Sequence, residues 1–303
     1  MTKRLVAALL LALPLAACAT DQSQPVTQLA PPARAKNVIL FIGDGMGIST
    51  ITAARIYDGQ KRGDTGEENL LSFERFPQTA LVKTYNTNAQ VPDSAGTASA
   101  LNAGVKTSIG VINVDHSVPK GDCAAGLAKP LPITAEAARR AGLNIGIVTT
   151  TRLTHATPAA VYAHSPDRDW ESDKDIPPAE RAKGCQDIAS QLLTFPFDVA
   201  LGGGMGKFAG AGRLAPDDIA QGWADRTGGS FVKTASALAA APAGKPVLGL
   251  FNPSHMTYMA DRTPDSGEPT LTDMTAAALS RLGGKQEGYY LMVEGGRIDH
   301  AHH

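Results

Sequence analysis

The 303-residue sequence has few cysteines, few aromatic residues and no excess of either charge sign. Three cysteines are too few for a fold built on disulfides. Lys and Arg number 28 against 29 Asp and Glu, so no basic excess favours a nucleic-acid partner, and we expect none. A hydrophobic fraction of 43% excludes wholesale disorder and predicts a globular, enzyme-like protein with a sizeable core.

The sequence also has no apolar run at its N-terminus that is long enough to span a membrane. Leu5 to Ala17 has 13 residues, whereas a membrane-spanning helix needs about 20. The run follows two basic residues, Lys3 and Arg4, which is typical of a signal peptide, and we predict one over residues 1–17.

The residues after this run bear on whether the exported protein is anchored to a membrane. Leu15-Ala16-Ala17-Cys18 resembles a bacterial lipobox, in which Cys18 would be lipidated. The alternative is an ordinary small-residue cleavage site with a chance cysteine nearby. Residues 18–35 lack periodicity and are predicted to be a tether. Since both alternatives export the protein, we expect a periplasmic location, with a lipid anchor if Cys18 is modified.

Beyond residue 36, short apolar runs alternate with helical patterns. The predicted strands are Asn37–Ile42, Leu143–Thr149, Phe197–Leu201, Val247–Phe251 and Tyr289–Val293. The predicted helices are about Ser49–Tyr57, Ala135–Ala141 with Thr134 as its cap, and Leu271–Leu282. Loops and insertions are predicted over 58–69, 165–184 and 203–229. This alternation predicts an α/β fold with a mostly parallel central sheet and helices on both faces. The first run is unbroken and apolar, which favours a strand buried on both faces.

Three side chains that can bind metals follow predicted strands. Asp44, His155 and Glu294 lie at or just past the carboxyl ends of these strands. Ligands of open α/β sheets bind at that edge, so we expect the three residues to share a site.

A serine lies where a helix is expected to begin, in the stretch Val91 to Ala100. Small residues after Ser94 allow close packing, and a helix N-terminus attracts anions. A serine hydroxyl needs a base or a metal to become nucleophilic, and no histidine is near in sequence. The alternative is that Asp93 or Ser94 only caps the helix.

The stretch Glu294 to His303 combines acidic residues with histidines. Asp299 and His303 are four residues apart, so they share one face of a helix and can hold one ion together. Glu294 is suited to a hard cation such as magnesium. The alternative is an exposed histidine-rich end without a function.

Two cysteines remain after Cys18 is assigned. In an exported protein, Cys123 and Cys185 are favoured to form a disulfide. The alternative is two unrelated buried thiols.

Taken together, four stretches resemble the alkaline phosphatase family, and they occur in the family's order. The resemblance runs from about residue 36 to the last residue, and it implies that 36–303 is a catalytic domain. The four stretches are Ile42 to Gly47, Val91 to Ala100, Thr149 to His164 and Glu294 to His303.

The resemblance implies a metal-dependent hydrolase that cleaves phosphate monoesters through a phosphoserine. Ser94 would be the nucleophile, and Arg168 would clamp the phosphate. Zn²⁺, two ions in the complete enzyme, and Mg²⁺ are the implied cofactors. The implied substrate range is broad, because the metals contact phosphate rather than the alcohol. A homodimer is expected by analogy with the family.

The resemblance also assigns the metal ligands and the disulfide. Asp44 would bridge magnesium and one zinc. The other implied ligands are Thr157 and Glu294 for magnesium, and Asp299 and His303 for the other zinc. His155 stands where some bacterial relatives have Asp, so we expect it to reach magnesium through water. Cys123 and Cys185 match a bridge of the animal enzymes.

The largest departure from the family is at the end of the chain, and two rival interpretations remain. Family members continue beyond position 303 with an Asp-His pair and a further His, so we expect a truncated, incomplete fold and negligible hydrolysis by this chain alone. A sulfatase or phosphodiesterase is the rival enzyme, although Ser94 lacks the Pro and Arg that sulfatases need after the nucleophile. An exported binding lipoprotein, which needs no zinc, is the rival without catalysis.

Overall fold

Six parallel strands form one sheet, in the order β1-β6-β2-β3-β5-β4. The computed structural model describes residues 35–284 and 287–303, so the predicted signal peptide, Cys18 and nearly all of the predicted tether lie outside the described residues. The strands are β1 Val38–Gly43, β2 Asn144–Arg152, β3 Val199–Gly203, β4 Ser230–Val232, β5 Val247–Leu250 and β6 Tyr289–Gly295.

Eleven α-helices among the described residues connect and cover these strands. They are α1 Ile48–Lys61, α2 Ser94–Ala103, α3 Cys123–Ala128, α4 Thr134–Arg140, α5 Ala156–Ala159, α6 Pro178–Arg181, α7 Ile188–Thr194, α8 Ile219–Thr227, α9 Ala235–Ala240, α10 Leu271–Gly283 and α11 Arg297–His302. Short 3₁₀ helices span Ser72–Arg75, Met205–Lys207 and Gly210–Gly212.

Alternate residues of the strands enter two separate cores. In β6, Tyr290 and Met292 belong to a core that includes side chains of α2, α7 and α8. Leu291 and Val293 point the other way, into a core that includes α9 and α10. This alternation follows from the two-residue period of a strand. Helices therefore cover both faces of a parallel sheet, and the predicted fold class is confirmed.

The expectation that the first strand is buried on both faces is wrong. β1 lies at the edge of the sheet and pairs only with β6 among the described strands. Val38 is 45% exposed and Phe41 is 63% exposed. The sequence of β1 is typical of an interior strand, but its burial depends on neighbours distant in sequence, which a local pattern does not reveal.

Other element boundaries also differ from the predicted ones. The predicted loop over 203–229 contains α8, and the three-residue strand β4 after it was not predicted. Thr134 does not cap α4, because Ile133 is the N-cap residue and the Thr134 hydroxyl donates to the Asn102 carbonyl, 2.7 Å away. α1 continues to Lys61, and Arg62 just beyond it bonds back to Asp58 at 2.7 Å.

Cys123 and Cys185 form a disulfide with their Cα atoms 5.8 Å apart. The bridge joins positions 62 residues apart, and this loop contains β2 and α5. Over 35–284 and 287–303, no helix combines the length and the apolar character that crossing a membrane requires.

Candidate functional site

The carboxyl ends of three adjacent strands bring Asp44, His155 and Glu294 together. Asp44 directly follows β1, Glu294 lies near the end of β6, and His155 follows β2 by three residues. One ligand atom of each lies within 4.8 Å of the others. β6 pairs with both β1 and β2, which explains why residues so distant in sequence meet.

Glu294 is fully buried among hydroxyl groups. The Thr149 and Thr151 hydroxyls donate to its Oε2 atom, and the nearby Thr157 side chain also favours the ionised carboxylate. Burial, with a further contribution from the Asp44 charge, raises the pKa of Glu294 to about 7. Burial and the nearby Asp299 charge likewise raise the pKa of Asp44 to about 6. Burial dominates both shifts, and the Arg168 charge offsets it only in part at Asp44.

Each of the three residues has a buried polar atom without a hydrogen-bond partner: Asp44 Oδ2, Glu294 Oε1 and His155 Nδ1. Buried polar atoms are normally satisfied, so these point to a ligand of the site. Two carboxylate oxygens beside the Thr157 hydroxyl are hard donors, which suit a cation such as Mg²⁺. The residues therefore fit a metal ion.

The His155 ring takes a different role from the carboxylates. The Arg168 Nη2 group lies 3.1 Å from His155 Nε2, and a guanidinium can only donate. Burial and the adjacent Arg168 charge hold the pKa of His155 well below its usual range, so the ring is neutral. Its proton is then on Nδ1, and His155 offers the cluster an N–H donor rather than a metal-binding lone pair.

Ser94 is the first residue of α2, as predicted. Asp93 caps this helix, because its Oδ1 atom accepts the Gly96 N–H at 3.0 Å. Asp93, and not Ser94, is therefore the N-cap residue. The Ser94 side chain instead lines an open cavity of about 710 Å³. The same cavity is lined by Asp44, His155, Thr157, Arg168, Asp299 and His303.

The Arg168 guanidinium is held at two points. Its Nη1 atom pairs with Asp93 Oδ2 at 3.2 Å, and its Nη2 atom contacts His155. The side chain of Arg168 therefore reaches the cavity from a fixed direction, next to the first turn of α2.

Asp299 and His303 meet at the end of α11, with Oδ1 and Nε2 3.4 Å apart. Their side chains are more open than the buried cluster, and His303 is 78% exposed. Among the described residues, no group of three His, Cys, Asp or Glu donors includes either of them. Asp299 and His303 thus form the predicted pair, which consists of one carboxylate and one imidazole without a third such donor among the described residues.

Two histidines beside His155 were not predicted as site residues. The His255 and His300 ring centroids lie 5.3 Å and 5.6 Å from that of His155. His300 lies within the motif Glu294 to His303, and His255 follows the carboxyl end of β5, the position that singled out the other site residues.

This three-histidine group does not fit a cation. Arg152 donates to His255 Nε2 at 2.5 Å, and Arg297 donates to His300 Nδ1 at 2.8 Å. His155 is bound in the same way by Arg168. Each ring thus faces a guanidinium at one nitrogen, and these three positive charges disfavour a cation between the rings.

Comparisons with known proteins agree with one another. The alkaline phosphatase family model matches residues 35–303. The tissue-nonspecific isozyme of alkaline phosphatase from Gallus gallus is 44% identical over 293 residues, which is 89% of this chain and 56% of the relative. Alkaline phosphatase from Gadus morhua is 42% identical, over 89% of this chain and 61% of the relative.

Solved structures give the same result. Thermus thermophilus alkaline phosphatase superposes with a TM-score of 0.73 and 33% identity, covering 89% of this chain and 51% of that one. The cold-active enzyme from Shewanella sp. gives a TM-score of 0.67 and 28% identity, covering 85% of this chain and 56% of that one. The chain thus spans about half the length of the proteins that it matches.

Proposed function

The chain belongs to the alkaline phosphatase family, and on that premise we propose that it carries the nucleophile, the phosphate clamp and the magnesium ligands for hydrolysis of phosphate monoesters. The observation that supports this most is the shared cavity, which places Ser94, Arg168 and Asp44 around one space. A sulfatase or phosphodiesterase reaction has no comparable support.

The metal ligands follow from the donor set. Asp44, Thr157 and Glu294 would hold Mg²⁺, and His155 would donate its Nδ1 proton to a water ligand. Asp44, Asp299 and His303 would contribute to the binding of two Zn²⁺ ions. When bound, such cations supply positive charge that favours an ionised hydroxyl and stabilises a phosphoryl group under attack.

The reaction itself needs one nucleophile and one water. Ser94 Oγ forms a bond to phosphorus while the bond to the alcohol oxygen breaks, and the hydroxyl proton ends on the released alcohol. Water then cleaves the phosphoserine, which releases inorganic phosphate and restores the Ser94 hydroxyl.

Arg168 and the first turn of α2 orient the phosphate for this attack. The guanidinium offers paired N–H groups to two phosphate oxygens. The free amides at the N-terminus of α2 and its dipole favour the same anion. Both groups act where charge develops in the transition state.

Covalent labelling tests the proposal. The chain, supplied with Zn²⁺ and Mg²⁺, is mixed with a ³²P-labelled phosphate monoester and quenched in acid. We expect label on the peptide that contains Ser94, without sustained hydrolysis by this chain alone, and no label in Ser94→Ala. Ser280→Ala, an exposed position on α10, is the matched control and retains the label. Equal labelling of Ser94→Ala, or none in the parent chain, contradicts the proposal.

We further propose that the protein is exported to the periplasm, anchored there through Cys18, and dimeric. The signal-like N-terminal run and the Cys123–Cys185 bridge support export, since disulfides persist in oxidising compartments. The dimer rests on analogy with the family alone. Incorporation of labelled palmitate in cells, lost in Cys18→Ser, tests the anchor, and sedimentation equilibrium tests the dimer.

A further inference from the structure

Asn86, a buried residue outside the predicted site, contacts the carboxylate that holds Arg168. Its side chain is 3% exposed, and its Nδ2 atom donates to Asp93 Oδ1 at 2.8 Å. A carboxylate can only accept, so this contact fixes the orientation of the Asn86 amide as well.

The rest of the Asp93 carboxylate is equally constrained. Oδ1 also accepts the Gly96 N–H at 3.0 Å, and Oδ2 accepts the Gly110 N–H at 3.0 Å and the Arg168 guanidinium at 3.2 Å. Four donors thus fix the plane of the carboxylate, and the Asn86 amide is one of two that hold Oδ1.

The backbone of α2 makes room for this contact. A Cβ atom placed on Gly96 would lie 2.6 Å from Asn86 Oδ1 and 2.9 Å from Nδ2. The absence of a side chain at Gly96 therefore lets the Asn86 amide reach Asp93 beneath the first turn of α2. Asn86 is itself anchored, because its N–H donates to the Ala89 carbonyl at 3.0 Å.

We propose that Asn86 is a positioning residue for phosphate binding, which acts through Asp93 on the Arg168 guanidinium and on the start of α2. This inference rests on the proposed function. An aspartate at position 86 would place a second acceptor against the Asp93 carboxylate and push it away from its other donors.

The first test needs no activity and no metal. Hydrogen exchange is measured in the metal-free chain for Asn86→Asp. We expect the Gly96 and Gly110 amides, which donate to the Asp93 carboxylate, to exchange about tenfold faster or more, as loss of a buried hydrogen bond implies. The Thr97 amide donates to the Asp93 main-chain carbonyl and should be unchanged. Unchanged exchange at both glycines overturns the proposal.

Asn88→Asp is the matched control. Asn88 lies in the same loop, and its Oδ1 atom accepts the Ile109 N–H at 2.8 Å, a role that aspartate keeps. The two variants carry the same change of charge, but only Asn86→Asp replaces a donor with an acceptor. If Asn88→Asp accelerates exchange of the Gly96 and Gly110 amides as much as Asn86→Asp does, the added charge alone explains the effect and the proposal fails.

The second test links Asn86 to Arg168. Affinity for inorganic phosphate is measured by calorimetry on the chain loaded with Zn²⁺ and Mg²⁺. We expect Asn86→Asp to weaken binding about tenfold, and less than twofold when Arg168→Ala is already present, because residues in one network are non-additive. Equal losses in both backgrounds overturn the proposal. A parent chain that binds no phosphate contradicts the proposed function instead, while the exchange measurement still decides the role of Asn86.

Discussion

Glu294 shows how a single buried carboxyl links the stability of the protein to pH and to metal ions. Its pKa is raised to about 7 because the fully buried side chain is surrounded only by neutral donors and lies near Asp44. At a pH between 4.5 and about 7, the folded protein therefore keeps a proton on Glu294 that the unfolded chain would release. A divalent cation would replace that proton as the compensating charge.

We predict that Glu294 makes the metal-free chain less stable as pH rises from 5 to 8, measured relative to Glu294→Gln, in which the opposing effect of the buried His155 and His255 remains. The pKa of Glu294 is higher in the folded state than in the unfolded state, so its contribution is complete below about pH 4.5 and is lost as pH rises through 7. The loss from this residue is at most about 3 kcal/mol. Urea unfolding in EDTA at several pH values measures it.

Glu294→Gln keeps the shape of the side chain and cannot ionise. In this variant the free energy of unfolding should therefore fall less as pH rises. Glu287→Gln, at an exposed position, is the control and should leave the slope as it is. Adding Mg²⁺ at pH 8 should stabilise the parent chain and not Glu294→Gln. A parent whose stability changes with pH in the same way as that of Glu294→Gln would show that Glu294 is not the coupled group.

The individual site residues that lie in compact sequence motifs could be predicted from the sequence. Asp44, Ser94 and Glu294 each follow a pattern that fixes their position at a strand end or a helix start, and the structure places them there. His255 was missed, because it lies in an irregular loop and meets His155 only through the sheet order. Asn86 was missed for the same reason, since its partner Asp93 is reached through a turn without a regular pattern.

Among the elements, the turn between β1 and α1 controls where α11 can lie. Gly45 has φ of +61°, and a Cβ atom there would lie 2.5 Å from Asp299 Oδ1 and 2.9 Å from Asp299 Cα. The backbone of α11 thus packs directly against this turn, which sets the distance between Asp44 and Asp299.

We predict that Gly45→Ala displaces α11 and lowers stability by about 2–3 kcal/mol, from backbone strain and the steric contact together. Zn²⁺ affinity should fall as well, since Asp299 moves away from Asp44. Gly47→Ala is the matched control, because Gly47 has extended φ of −83° and no atom within 4 Å of its Cβ position. Urea unfolding and zinc titration check both variants, and equal behaviour of the two would contradict this account.

The elements themselves were predicted where the chain carries its own signals. Five of the six strands follow apolar runs, and α10 ends at the predicted glycines. β4 has three residues and no such run, so only its pairing with β5 defines it. The cap of α4 was misassigned because Thr134 bonds to α2, a tertiary contact that competes with local capping.

For the whole molecule, the disulfide closes the part of the chain that supplies much of the site. His155, Thr157 and Arg168 all lie between Cys123 and Cys185. We predict that Cys123→Ser with Cys185→Ser lowers the free energy of unfolding by about 4 kcal/mol, as loop-closure entropy implies. Thermal unfolding of the variant, and of the parent with and without reductant, measures the effect. A parent whose midpoint does not change on reduction would contradict the prediction.

Among the described residues β1 has a neighbouring strand on one side only, which bears on how this chain behaves in concentrated solution. Most large exposed apolar side chains of the described residues lie in 38–109, and they include Leu81 at 92% and Val91 at 80%. An edge strand of this composition can pair with strands of other copies. We therefore expect the chain to bind hydrophobic dyes and to form assemblies that grow with concentration. Phe41→Lys should raise its solubility limit and reduce light scattering, because a charged side chain on an outer strand discourages further strand addition. We therefore expect self-association of this chain to begin at β1, whose apolar residues also favour its strand conformation.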